Sequence, residues 1–316
     1  MSRKFQNQIS FLQGKNYNMS TWTLPRPPRH PFHIVTLSPW PISIGGFTLG
    51  IAGGLASWLH GHSIDLIIWR TLGLTLAAKN WWRDIVIEGT YQGFHTKKVT
   101  IGFYWGIGLL IFSEVLFFFR FFWAFLHRAL APTPEIACQW PPIGVNPVNP
   151  ITWPLFNSVI LLTRGALANL AYLYLIIGKI RKATDAINGA ILAGVLFSGI
   201  QGYEYYHAPF TIADRVFGSA FYILTGFHGI HVLVGTIILQ IQKKRLQYLH
   251  FSPKHHVGLL AAIWYWHFVD VVWLILFALV YIWGTANITD IWDSINTLYW
   301  SLARTAKLAL NAVMGC

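Results

Sequence analysis

The sequence predicts an all-α membrane protein with seven transmembrane helices. Three observations carry that expectation. Hydrophobic residues make up 54% of the 316-residue chain and charged residues only 11%, with a mean hydropathy of +0.48; a soluble domain carries about 25% charged residues. Apolar stretches long enough to cross a bilayer recur along the chain. The 16 Trp and 13 Tyr suit a protein with two aqueous interfaces, because amphipathic rings settle at headgroup level.

The elements follow in order. The first 33 residues are polar and basic (Arg3, Lys4, Lys15, Arg26, Arg29), with no acid before Asp65. They read as an arm on the matrix or cytoplasmic side, stiffened by Pro25, Pro27, Pro28 and Pro31. Spans are predicted near 40–60, 65–87, 97–128, 153–177, 184–206, 214–244 and 256–284. About 20 residues rising ~1.5 Å each cover a hydrocarbon core of ~30 Å. The third and sixth are longer than that and must tilt or project. Gly46, Gly50 and Gly54 in the first span, and Gly102 and Gly106 in the third, repeat at four-residue spacing, a pattern that lets helices approach closely. Residues 131–154 hold Pro132, Pro134, Pro141, Pro142, Pro147, Pro150 and Pro154 and form the longest loop. In the extension from 287 to 316, Ile288, Ile291, Ile295, Leu298, Leu302 and Val313 fall near one helical face. Such a segment lies on the membrane surface or docks onto a partner. The domain organisation is thus an arm at 1–33, a helical domain at 34–286 and this extension.

Charge placement gives the orientation. Seven spans put the arm on one side together with Lys97, Lys98, Arg181, Lys182, Lys243, Lys244 and Arg245. Far fewer cations, among them Arg70, Arg128 and Arg215, fall opposite. The positive-inside rule then places the amino terminus in the matrix or cytoplasm. The formal net charge of +12 does not indicate nucleic acid, since the basic residues sit in small groups between apolar runs with no phosphate-binding glycine loop. Cys138 and Cys316 form no metal or disulfide framework.

Ionisable residues inside a bilayer are costly and each is a candidate for function. Glu114, midway along the third span, is either a proton-relay or conformational carboxylate or an acid hydrogen-bonded to a neighbouring helix. Arg120 and Arg164 also fall within spans, and each requires a carboxylate, a lipid phosphate or another subunit. His228, His231, His267 and the His255–His256 pair invite a haem or metal reading. A haem, however, needs axial ligands from opposite sides and a closed metal site three or four donors. Bridging between helices is the competing role. Glu88, His95, Lys97, Lys98 and Arg245 gather at the positive side, where cations meet the phosphates of anionic lipids. A transporter built around Glu114 predicts an internal repeat, and the sequence shows none.

Several segments together resemble subunit III of the haem-copper oxidases. They are Trp81-Trp82-Arg83-Asp84, Ser113-Glu114-Val115-Leu116-Phe117-Phe118, Ala131-Pro132-Thr133-Pro134-Glu135, Glu204-Tyr205-Tyr206, Thr225-Gly226-Phe227-His228-Gly229-Ile230-His231 and Trp264-Tyr265-Trp266-His267-Phe268-Val269-Asp270. The resemblance covers about residues 30–284, and the proline-rich loop is most similar to mitochondrial members. It implies a fold whose first two helices splay from a five-helix bundle, leaving a cleft filled with structural phospholipids. It implies a multi-pass subunit of the mitochondrial inner membrane beside subunit I, with haems and copper in partner subunits and none in this chain. The role implied is to stabilise the catalytic core of cytochrome c oxidase and to support proton uptake. Glu114 matches the family's carbodiimide-reactive carboxylate; Glu88, His95 and Arg245 match polar positions near the cleft. Ile87 departs from an arginine common there, and His207 from a glutamate. Arg120 and Arg164 replace small residues, which directs them toward lipids or accessory subunits. The alternative function is a haem-binding or proton-translocating subunit using the intramembrane His and Glu residues.

Overall fold

The computed structural model of the chain describes residues 30–285, 296, 297, 299–305 and 307. Most of the predicted arm, and most of the extension with Ile288, Ile291, Ile295, Leu298 and Val313, lie outside the described residues. Residues 299–305 of the extension are helical.

Seven long helices follow one another: α1 (Trp40–Leu59), α2 (Asp65–Thr90), α3 (Lys97–Leu130), α4 (Trp153–Ile176), α5 (Ile180–His207), α6 (Arg215–Gln247) and α7 (Val257–Leu276). The last continues as a π-helical segment, Phe277–Trp283. Among the described residues six are long and apolar enough to cross a membrane, and α2 is not one of them. Asp65, Arg70, Lys79, Arg83, Asp84 and Glu88 are distributed along α2 and interrupt its apolar run. Within the proline-rich loop Pro134–Ile136 forms a short 3-10 turn, which fixed proline φ angles permit where an α-helix is excluded.

The chain divides into two compact units, residues 1–102 and 103–316. In the first, α1 and α2 form an antiparallel hairpin. A side-chain carbon added at Gly50 would meet the Arg70 side chain at 2.8 Å, and one at Gly54 would meet Ile67 at 3.0 Å. The four-residue glycine spacing therefore serves close approach at these two positions. At Gly46, Gly102 and Gly106 an added carbon meets nothing within 4 Å, so the close-packing expectation fails there: those glycines line open faces. Trp40 Nε1 donates to Asp84 Oδ2 at 2.6 Å, joining the start of α1 to the end of α2.

In the second unit α4 and α5 pack against each other most extensively. Small side chains suit it: Ala168 and Ala171 on α4, and Ala183, Ala186 and Ala190 on α5, are all buried. In a bilayer such small faces gain close van der Waals contact that lipid tails cannot match. The α3 helix is attached differently, through aromatic side chains. Phe117 and Phe121 each lie 5.0 Å from Phe227, and Phe118 lies 6.0 Å from Phe268, centroid to centroid. At the far end, Trp140 of the loop donates to the Gly284 carbonyl at 3.0 Å and meets Phe125 edge-on at 5.3 Å. Ala171 is fully buried, so Ala171→Leu overpacks the α4–α5 contact. The expected loss is about 1–3 kcal/mol, measured as a lower unfolding midpoint of the detergent-solubilised protein. A substitution of the same size at open Gly102 leaves that midpoint nearly unchanged.

Candidate functional site: polar networks between apolar helices

Apolar helices carry few polar groups, so the positions of those they do carry are informative. Arg164 on α4 is 1% exposed. Its Nη2 donates to Asp270 Oδ1 on α7 at 2.7 Å, and the guanidinium lies 3.8 Å over the Trp266 ring. A guanidinium stays charged when buried, so it needs both a counter-charge and a face against which to stack. One glycine makes room: a carbon at Gly165 would fall 2.9 Å from Asp270 Oδ2. One turn before Asp270, His267 Nε2 meets Asn169 Oδ1 at 2.9 Å, and its Nδ1 lies 3.8 Å from Asp270 Oδ2. Of the three kinds of partner open to Arg164, the structure supplies a carboxylate of the same chain.

Glu114 is half-buried on α3, with Oε2 3.0 Å from His231 Nε2 on α6. The other ring nitrogen, Nδ1, lies 2.7 Å from the Phe227 carbonyl and donates to it. With Nδ1 carrying its hydrogen, the contact between Nε2 and Oε2 holds one further proton, on one side or the other. Phe118 packs edge-on against the imidazole at 4.9 Å. His228, three residues earlier, is buried with Nε2 3.3 Å from the Val269 carbonyl. His228, His231 and His267 thus each bridge to a neighbouring helix. Among the described residues no group of three or more His, Cys, Asp or Glu is placed to hold a metal ion.

A third network was not anticipated as a site. Glu204 on α5, 3% exposed, accepts from Tyr281 Oη at 2.6 Å, with Gln201 Nε2 3.4 Å from both. Beside it Tyr205 Oη donates to Thr225 Oγ1 at 2.6 Å, because Thr225 spends its own hydrogen on the Phe221 carbonyl. The signal in the sequence was a carboxylate flanked by tyrosines at the end of an apolar run.

The lipid-directed residues divide between the units. In the first, Glu88 Oε2 lies 3.9 Å from His33 Nε2. The His33 ring stacks on Phe94 at 5.2 Å and lies 5.9 Å from His95. Lys98 sits 4.3 Å over the Phe32 ring, and Thr96 Oγ1 donates to the Pro31 carbonyl. The segment before α1 therefore folds over the α2–α3 connection and brings His33, Glu88 and His95 together; His33 was not singled out in the sequence. Lys97 begins α3. In the second unit, Arg245 stacks 4.5 Å over Phe251, with Nη1 3.4 Å from Gln242 Oε1. Arg120 is exposed.

Fold and networks define a class: a polytopic α-helical membrane protein whose scarce ionisable groups join helices. Comparison with known proteins gives the particular member of that class. The family model described as Cytochrome c oxidase subunit III matches residues 30–285. The chain is 49% identical to cytochrome c oxidase subunit 3 of Lumbricus terrestris over 259 residues, which is 81% of this chain and 99% of the relative. Against the Anopheles gambiae protein identity is 50% over 258 residues (81% and 98%), and against that of Pisaster ochraceus 47% over 257 (81% and 99%). The chain belongs to the cytochrome c oxidase subunit III family.

Removing one member of the Arg164–Asp270 pair strands a buried charge, at a cost of about 3–5 kcal/mol. Asp270→Leu is therefore expected to lower thermal stability sharply. The double variant Arg164→Met/Asp270→Leu recovers most of the loss, a coupling read directly from a double-mutant cycle.

Proposed function

We propose that the chain is the non-redox accessory subunit of cytochrome c oxidase. It packs beside subunit I, whose haems and copper, with those of other partner subunits, carry electrons from cytochrome c to oxygen. In this reading it spans the mitochondrial inner membrane seven times, α2 included, with the amino terminus on the matrix side. The α1–α2 hairpin splays from the other five helices to leave a cleft for structural phospholipids. The observation that carries the reading is the family match across residues 30–285, at about half identity to curated members.

The residues support distinct parts of the role. Glu88, His95, Lys97, Lys98 and Arg245 hold lipid headgroups on the matrix side, where cations meet anionic phosphates. The Glu114–His231 contact, half-buried within an apolar span, suits a relay that passes protons toward the catalytic subunit. The Arg164–Asp270 and Glu204–Tyr281 networks fix the bundle that presents these surfaces. Accessory subunits meet the chain at its two terminal segments.

The test is selective removal of this chain from the native complex in mild detergent. Haem absorption is expected to stay with the remainder, and oxygen consumption to start near normal but fall faster over successive turnovers. Haem leaving with this chain refutes the reading and returns the histidines to consideration as ligands.

A further inference from the structure

The networks above leave one patterned surface unused, the outward face of α3 toward its carboxyl-terminal end. Leu109, Ser113, Leu116, Arg120, Ala124 and His127 recur at intervals of three or four residues and so share one helix face. All six are exposed, and Arg128 stands exposed beside them. The lower part of this face is apolar, with Leu109 and Leu116 flanked by Phe112 and Phe119, each more than half exposed. The upper part is cationic. Among the described residues neither Arg120 nor Arg128 makes a hydrogen bond, ion pair or ring contact. The one acid near them on α3, Glu114, is taken by His231.

Depth distinguishes the occupants. Arg120 and Arg128 lie about 12 Å apart along the axis, with Ala124 between them leaving space on the face. Trp123, 59% exposed, flanks Arg120 and marks the headgroup level. A carboxylate on a partner helix would neutralise one guanidinium at one depth. Two cations above a column of exposed leucine and phenylalanine instead match a charged headgroup above two hydrocarbon chains, and the arginine stems can extend toward the phosphate.

We infer that this face binds one anionic phospholipid, its phosphate held between Arg120 and Arg128 and its acyl chains lying along Leu116, Phe112 and Leu109. The site rests on α3 being a membrane span. It lies at the opposite end of that helix from Lys97 and Lys98.

The experiment uses the intact oxidase complex, delipidated in mild detergent and titrated with spin-labelled phosphatidylglycerol or phosphatidylcholine, reading the immobilised fraction. Each cation near an anionic headgroup is worth about a factor of five. R120Q/R128Q is therefore expected to weaken phosphatidylglycerol binding at this site roughly 30-fold, R128Q alone about fivefold. Phosphatidylcholine binding stays as it was, and R120K/R128K keeps most of the affinity. Unchanged phosphatidylglycerol binding in R120Q/R128Q overturns the inference. So does loss of a partner subunit from that variant without a change in lipid binding, which would assign the arginines to a carboxylate on that subunit. Should the double variant fail to assemble, unchanged binding in R128Q alone overturns it equally.

Discussion

The ion pair between Arg164 and Asp270 is the constraint around which the second unit is arranged. A permanently charged guanidinium at 1% exposure between apolar helices leaves little freedom in how α4, α5 and α7 meet. The helices must come close enough for a 2.7 Å contact, which requires glycine at 165. They must also present the Trp266 face to the cation. His267 and Asn169 repeat the α4–α7 connection one turn away. The small-residue seam between α4 and α5 continues the same close approach toward the opposite end of the pair. Where the hydrophobic effect does not drive helices together, contacts of this kind select one packing over others.

The α3 helix obeys a different rule. It lacks the small-residue seam that joins α4 to α5 and reaches the bundle through phenylalanine rings instead. Its one carboxylate faces inward to His231 and its arginines face outward. The helix therefore has two chemical sides. The inner side meets the bundle through aromatic edges and the Glu114–His231 contact, and the outer side is exposed. The same division recurs in the first unit. There the α1–α2 hairpin buries only Gly54 and Ala77 and leaves leucine and tryptophan on its remaining surface.

Much of this was legible in the sequence. Long apolar runs and proline punctuation placed the seven helices to within a few residues, because hydropathy and missing backbone donors act locally. Glu114 was identifiable as a costly intramembrane acid, and the histidine spacing pointed to bridges between helices. Partners were a different matter. No local pattern links Arg164 to a residue 106 positions away, Glu114 to His231, or His33 to Glu88, since each pair exists only once helices are juxtaposed. The glycine repeat misled for a related reason. Spacing puts Gly46, Gly50 and Gly54 on one face, but which of them a neighbour covers depends on where the hairpin crosses. A span is expected near 65–87, and the charges distributed along α2 keep that helix below the apolar length of the other six.

The π-helical end of α7 alters how that segment reads as geometry. A π turn accommodates one residue more than an α turn, so the stretch Phe277–Trp283 behaves as though a residue had been slipped into an otherwise regular rod. That extra residue turns the two neighbours Val280 and Tyr281 inward together, both at 0% exposure, and aims the tyrosine hydroxyl at Glu204. Taking one residue out would restore an ordinary helix and swing everything after it by about 100° about the axis. Tyr281 would then leave its carboxylate, and the Gly284 carbonyl would leave Trp140. The irregular turn thus sets the angular phase of the chain's last contacts, keeping the end of α7 in step with the loop and with α5.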